Sequence, residues 1–281
     1  MLSLFSPAKI NLFLQVGSKR EDGYHELSSL MQTVSLGDFI SYQVAQKDSF
    51  SCSDPLLPID DNNLVLKALK VFRKKSHCNL SFKIHLEKKV PFQAGLGGGS
   101  SNAATTLWAL NQLTEASYSD LQLMQMGAEI GCDVPFFLSM GTAHCTGRGE
   151  KVTLLPNLAK NSLTIVTPSF GQATELVYAQ LTSFRKNFKK INTISLQEKL
   201  VYENDLEKAA FAANPKLANV KNKLLQSGFE IVLLSGSGSS FFCFGTADLS
   251  SHSDLSQYHV HFIHRSTGKW YHENLAGSPK N

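Results

Sequence analysis

Four glycines within five residues, Gly95-Leu96-Gly97-Gly98-Gly99, run directly into Ser100-Ser101-Asn102-Ala103-Ala104. A loop this free of side chains lets a ligand approach its backbone amides. The residues that follow carry a helical pattern over 100–113, with Ala103, Leu107, Leu110 and Leu113 recurring on one side. Ser100 or Ser101 is placed to cap that helix, whose first amides and dipole present positive charge toward the loop. Such an arrangement suits a phosphate group. The run is neither of the two common phosphate loops. It has no lysine where GxxxxGK[ST] needs one, and Ser100 stands where GxGxxG needs its last glycine. Taken alone, it fits a plain helix-entry turn equally well.

The elements that position this loop follow from periodicity. Ile10, Leu12 and Leu14 alternate with Asn11, Phe13 and Gln15, which predicts a strand reaching Val16. Further strands are expected over 30–36, 39–44, 80–86 and 143–146. Helices are expected over 61–75 and from Ser119 onward. The segment 132–138 opens with Asp133 and Pro135, which by itself reads as a helix cap or turn. Near Pro156-Asn157 the pattern restarts, so the chain divides into domains 1–156 and 157–281. The second domain is expected to hold strands over 162–167, 231–234, 241–244 and 259–264, with helices over 174–181, 205–213 and 215–226. Between its strands at 231–234 and 241–244 lies a second glycine-serine loop, Ser235-Gly236-Ser237-Gly238-Ser239-Ser240, which a hairpin turn would also explain.

Composition narrows the partners. With 281 residues and 42% hydrophobic content, the chain can bury a large core. The formal charge of +4 resides partly in Arg73-Lys74-Lys75 and in Arg185-Lys186 with Lys189-Lys190, which read as solvated faces. No basic stripe interleaved with aromatics points to nucleic acid, and a mild positive field favours an anionic metabolite. No apolar run approaches a membrane span, and the first residues lack the basic region of a secretory signal. Cys52, Cys78, Cys132, Cys145 and Cys243 are scattered and odd in number, which suits a reduced, cytoplasmic protein.

Six ordered motifs together resemble the GHMP kinase superfamily of small-molecule kinases. They are Pro7-Ala8-Lys9-Ile10-Asn11-Leu12, Asp22-Gly23-Tyr24-His25, the segment 61–64, the run 94–104, the segment 131–136 and Asn204-Asp205-Leu206. The likeness spans roughly residues 5–245, and nothing after Gly245 is diagnostic. It implies an α+β fold of two domains, the first like domain 2 of ribosomal protein S5 with a left-handed βαβ crossover, the second ferredoxin-like. The site would lie in the cleft between them. The motifs are most similar to the branch serving non-mevalonate isoprenoid synthesis. There ATP phosphorylates the 2-hydroxyl of a cytidine-diphosphate-linked methylerythritol, giving the 2-phosphate and ADP. Two alternatives stay open: a homoserine- or mevalonate-type alcohol kinase, and a relative that binds ligand without catalysis.

The resemblance implies ATP and Mg2+ as cofactors and a cytidine-diphosphate polyol as the partner. Asp133 matches the catalytic acid, a carboxylate that accepts the hydroxyl proton. Lys9 matches its cationic partner and would stabilise charge developing at the reacting oxygens. Gly97, Gly98, Gly99, Ser100 and Ser101 would hold the triphosphate, with Pro91, Ala94, Gly95 and Leu96 along the same run. Asn63 and Lys88 match positions beside the nucleotide, although Asn62 and Lys89 are immediate neighbours. Tyr24 and His25 look like a cytidine clamp, with Thr174 and Tyr178 opposite. Asn11 would meet the substrate's diphosphate or polyol. Gly236, Ser237 and Gly238 would close over phosphates. The histidines at 252, 259, 261, 264 and 272 lack acidic or cysteine partners at ligand spacing, so they are expected to be strand and surface residues and no metal site is assigned to them.

Overall fold

The computed structural model describes residues 1–188, 201–250 and 252–271. Its framework is a long antiparallel pair, β1 (Leu2–Lys19) and β2 (His25–Ala45), turned through Gly23 at φ +85°. β1 is buried on both faces from Leu4 to Gly17, although apolar Ile10, Leu12 and Leu14 alternate there with Asn11 and Gln15. The reason is a layer on each side: helices cover one face and a second sheet covers part of the other. β2 replaces the two strands expected over 30–36 and 39–44. It runs on through Gly37-Asp38 across an irregularity where its register with β1 shifts between Pro7 and Ala8. Pro7 is tolerated at that irregularity because no regular ladder bond is required of it there. Gly37 is required by close approach, since a Cβ would lie 2.4 Å from the Phe5 ring.

β3 (Ser49–Cys52), α1 (Leu64–Ser76) and β4 (Ser81–Glu87) form a βαβ unit with β3 parallel to β4. Asn63 caps α1 and turns Val65, Ala68, Leu69 and Phe72 into the core. α2 (Gly98–Leu113), α3 (Asp120–Ile130) and α4 (Val134–Phe137) follow, α3 starting from a Ser119/Gln122 capping box. β5 (Thr142–Gly147) pairs with the first half of β2, β4 with the second half, and β6 (Lys151–Leu154) pairs with β5.

The chain changes sheet after β6. β7 (Ser162–Pro168), β9 (Ile231–Leu234), β10 (Phe241–Phe244) and β11 (Leu255–His261) form a four-stranded antiparallel sheet in the order β11-β7-β10-β9. α5 (Thr174–Tyr178), α6 (Glu207–Ala213) and α7 (Lys216–Gln226) cover it. α5 is shorter than the helix expected over 174–181. β11 begins and ends earlier than 259–264, which leaves His264 beyond the strand. Two segments cross back to the first sheet. β8 (Glu203–Asn204) joins β1 in parallel, and Trp270 donates from Nε1 to the Phe5 carbonyl at 2.8 Å. Buried Arg265 pairs with Asp120 at 2.7 Å and donates to Ser139 O at 2.7 Å. The α+β architecture is as expected, and the two sheets share a core built from Ile10, Leu12, Ile165 and Phe242.

No helix among the described residues is long and apolar enough to cross a membrane. All five cysteines are unpaired, and burial pushes the Cys243 thiol up to about 12. No three His, Cys, Asp or Glu side chains among the described residues group as a metal site, and His272 lies outside them. His264 donates from Nε2 to Leu158 O at 3.0 Å, while its buried Nδ1 has no partner. Burial lowers its pKa, and burial lowers that of half-buried His144 as well. Both are held neutral, so their stabilisation is full above the ordinary histidine value of about 6.5 and is lost as pH falls through the depressed folded values. The urea midpoint should therefore drop between neutral pH and the mid-fives, and His264→Asn should flatten that slope. An unchanged slope in the variant would remove His264 as a cause.

Candidate active site

Lys9 lies mid-strand on β1 and is 4% exposed. Its stem passes over the glycine loop: a Cβ on Gly97 would come within 3.0 Å of Lys9 Cγ and of the Phe137 ring. Nζ donates to Asn11 Oδ1 at 2.6 Å and lies 3.5 Å from Asp133 Oδ2. Asn11 Nδ2 donates to Ser29 Oγ at 2.8 Å, and Ser29 Oγ donates to Phe13 O at 2.8 Å. Both ends of the Asn11 amide are therefore taken, and its oxygen is aimed at Lys9. Asp133 precedes α4 but makes no capping hydrogen bond. Its side chain, 31% exposed, lies beside Lys9 and borders the cleft instead.

The glycine loop carries Gly95 at φ +74° and Gly97 at φ +69°, and Leu96 O accepts from the Lys9 amide at 2.9 Å. Gly97, rather than Ser100 or Ser101, is the N-cap of α2, and it offers no side-chain bond. The first intrahelical bond is Ser101 N to Gly97 O at 2.9 Å. The amides of Gly98, Gly99 and Ser100 are thus the unpaired donors that every helix start presents. Ser101 is turned away. Its Oγ accepts from Ser6 Oγ at 2.9 Å in the interior and fixes the helix to β1.

Lys88 brings a second ammonium to the helix start, 3.2 Å from where a Gly98 Cβ would be. Its Nζ is paired with Asp38 Oδ2 at 2.5 Å. Asp38 is fully buried and also accepts from Lys89 N, Val90 N and Asn102 Nδ2 at 2.7, 2.8 and 2.9 Å. Sequence reasoning missed Asp38 and Asn102. The signal was an acid after Gly37 within an apolar strand, which only a buried cation or amides could satisfy. Asn63 borders the cleft with its amide committed, accepting from Val65 N at 2.9 Å and donating to Pro58 O at 2.8 Å.

The second loop packs against the first. Ser235 Oγ donates to Gly95 O at 3.0 Å, and Ser240 N donates to Ala94 O at 3.0 Å. A Cβ on Gly95 would meet Ser235 O at 2.0 Å. Asn204 Nδ2 holds the loop by donating to Leu234 O and Gly236 O at 2.8 and 2.7 Å. Gly236 faces Lys9 Nζ, and Ser237 Oγ lies 2.9 Å from Thr174 Oγ1. Gly238 is turned onto Leu234, outside the cleft wall.

Tyr24, 52% exposed, has the Arg148 guanidinium 4.9 Å from its ring centre. The neighbouring His25 ring lies 5.6 Å from Tyr178, whose phenol burial pushes above its usual range. Phe184 lies equally close to His25 and was missed, because its stretch reads as lysine-rich surface. Of all the predicted site residues, Ser101 and Gly238 alone fall outside the walls of one cleft of about 890 Å³. The cleft is lined by the free amides at the start of α2 with the Lys88 ammonium beside them, by the Lys9–Asp133 ammonium–carboxylate pair, and by the rings of Tyr24, His25 and Tyr178.

A family model described as the GHMP kinases N terminal domain matches residues 63–141. The chain is 54% identical to the 4-diphosphocytidyl-2-C-methyl-D-erythritol kinase of Protochlamydia amoebophila, over 96% of this chain and 93% of that one. It is 40% identical to the chloroplastic/chromoplastic enzyme of that name from Solanum lycopersicum, covering 99% of this chain and 74% of the relative. A crystal structure titled 4-(cytidine 5'-diphospho)-2C-methyl-D-erythritol kinase superposes with a TM-score of 0.77 at 30% identity, covering 93% and 99% of the two chains. A likeness of this extent, in sequence and in fold, places the chain in the GHMP kinases, within the family of 4-diphosphocytidyl-2-C-methyl-D-erythritol kinases.

Proposed function

We propose that the chain transfers the γ-phosphoryl group of ATP to the 2-hydroxyl of 4-diphosphocytidyl-2-C-methyl-D-erythritol, giving the 2-phosphate and ADP. The observation that carries this reading is the Lys9–Asp133 pair at 3.5 Å, set beside an α2 N-terminus that no side chain caps. Asp133 takes the hydroxyl proton as the acceptor oxygen bonds to the γ-phosphorus and the bond from phosphorus to the bridging oxygen breaks. Lys9, oriented by Asn11, stabilises charge on the transferring group. The amides of Gly98, Gly99 and Ser100, with Lys88, hold the phosphates.

The donor set also fits Mg2+. Ser100 Oγ, at the start of α2 on the cleft wall, has no hydrogen-bond partner among the described residues, and it is a hard oxygen donor that would complete a shell supplied mainly by the nucleotide's phosphates. When bound, the ion neutralises phosphate charge. A reducing compartment, the cytoplasm, belongs to the same proposal and agrees with five unpaired cysteines.

The test is an ATP-coupled assay offering the cytidylated polyol, homoserine and mevalonate in parallel. Turnover confined to the first is expected, and preference for either of the others would overturn the reading. Tyr24→Ala should raise KM for the cytidylated substrate roughly tenfold, the scale of one lost base–aromatic stack, with KM for ATP little changed. Equal effects on both would remove Tyr24 from the base site.

A further inference from the structure

α4 (Val134–Phe137) is a single helical turn, too short to hold its own place. Asp133 stands at its start and makes no capping bond, so its direction follows the backbone of that turn. Contacts from outside must therefore seat α4. Two lie near the cleft: a Cβ on Gly127 would come 2.9 Å from Val134 Cγ1, and the Phe137 ring packs on Gly97 beside the Lys9 stem. The far end, Leu138-Ser139, is held by Arg265, 126 residues further along the chain.

Arg265 Nε donates to Ser139 O at 2.7 Å. Nη2 donates to Leu138 O and, at 2.7 Å, to Asp120 Oδ2 in the first turn of α3. Nη1 reaches Lys269 O at 3.3 Å, and the guanidinium lies 5.3 Å from the Trp270 ring centre. The arginine side chain is fully buried. Burying such a charge is costly, and an apolar side chain would fill the space without that penalty. The planar fork does what an apolar group cannot: it grips two consecutive carbonyls just after α4 in a fixed orientation. Tyr271 Oη adds a further donor to Ser139 O at 3.1 Å. The same strap reaches the strand beside Lys9. Ile263 N donates to Thr33 O at 3.1 Å, and Ile263 O accepts from Thr33 Oγ1 at 2.6 Å. Thr33 is the cross-strand neighbour of Lys9. One segment, 263–271, therefore braces both the strand opposite Lys9 and the turn bearing Asp133.

We infer that Arg265 is a positioning residue for phosphoryl transfer: by gripping Leu138 O and Ser139 O it seats α4 and so sets Asp133 at 3.5 Å from Lys9. The inference rests on the kinase reading above and adds what keeps the proton acceptor in register. Arg265 is not on the cleft wall, so its loss reaches the chemistry through Asp133 and not through ligand contacts. A reacting group displaced by about 1 Å loses on the order of a hundredfold in rate.

Arg265→Lys keeps a positive charge beside Asp120 but cannot fork over two carbonyls. Its kcat should fall about ten- to a hundredfold, with KM for ATP and for the cytidylated substrate changed less than about twofold. A crystal structure of the variant should show the Lys9–Asp133 separation lengthened by about 1 Å. Trp270→Phe is the control for plain loss of stability. It removes the 2.8 Å bond to Phe5 O but keeps a ring against the guanidinium, so its melting temperature should fall while kcat stays within about twofold of wild type. If Arg265→Lys does not fold, Tyr271→Phe stands in for it. Losing the phenolic donor to Ser139 O should lower kcat about two- to fivefold, the scale of one hydrogen bond. A folded Arg265→Lys protein with near-normal kcat, an unmoved Asp133 in that variant, or a Trp270→Phe protein that loses as much kcat would overturn the inference. So would an unchanged kcat in Tyr271→Phe where that variant stands in. Failure of the wild type to phosphorylate the cytidylated substrate would instead overturn the kinase reading. The Lys9–Asp133 separation needs no turnover and tells the two apart.

Discussion

Asp133→Ala should fold normally and turn over about a hundredfold to ten-thousandfold more slowly, the range expected when a positioned proton acceptor is removed. Normal folding is expected because the side chain does little for the fold. It makes no capping bond to α4 and is 31% exposed, with Lys9 at 3.5 Å as its ionic partner. Lys9 keeps its 2.6 Å bond to Asn11 in the variant, so its ammonium is not stranded. The amides of Gly98 to Ser100 and Lys88 are untouched, so KM for ATP should stay near the wild-type value. The loss should appear in kcat, because the interaction removed matters as the hydroxyl proton moves. Steady-state kinetics beside a thermal melt decide it. A melt like the wild type's with near-normal kcat would eliminate Asp133 as the base.

Asp38→Asn should cost about 3–5 kcal/mol of stability, the usual result of removing one partner of a buried ion pair. The geometry makes asparagine a poor replacement. Oδ1 accepts from the amides of Lys89 and Val90, and a carbonyl oxygen could serve there. Oδ2 accepts from Lys88 Nζ and Asn102 Nδ2, and an amide nitrogen in that place would face two donors. The Lys88 ammonium, 8% exposed, would be left buried without its counter-charge. Because that ammonium sits at the start of α2, KM for ATP should rise along with the loss of stability. Adding Lys88→Met removes the stranded charge, so the double variant should lose less than the sum of the two singles. Urea midpoints measure the cycle, and strict additivity would show that Asp38 acts through the Lys89 and Val90 amides and Asn102 rather than through Lys88.

Family, fold class and the main chemical groups were open to reading in the chain itself. The glycine run, Lys9, Asp133 and the Tyr24-His25 pair are local patterns, and local backbone chemistry makes them recognisable. Regular elements behaved similarly: α1 and α3 carry their own caps and apolar spacing, so their positions follow from nearby residues. The joining of two expected strands into β2 did not, because Gly37-Asp38 looks like a turn until Phe5 and the donors around Asp38 are brought against it.

Side-chain roles divided along the same line. A carboxylate before a short helix looks the same whether it caps that helix or faces a lysine on a distant strand, and only the packing of β1 over the glycine loop puts Asp133 beside Lys9. Ser100 and Ser101 are equivalent as letters. The helical rotation that places one at the cleft and the other against Ser6 exists only once α2 lies on β1. Asp38, Asn102 and Phe184 act through partners remote in sequence, which periodicity cannot supply. Sequence alone determined which chemical groups the molecule owns and the order in which they occur. Tertiary structure decided which way each one points, because orientation is set by long-range hydrogen bonds and close backbone contacts that no local pattern encodes.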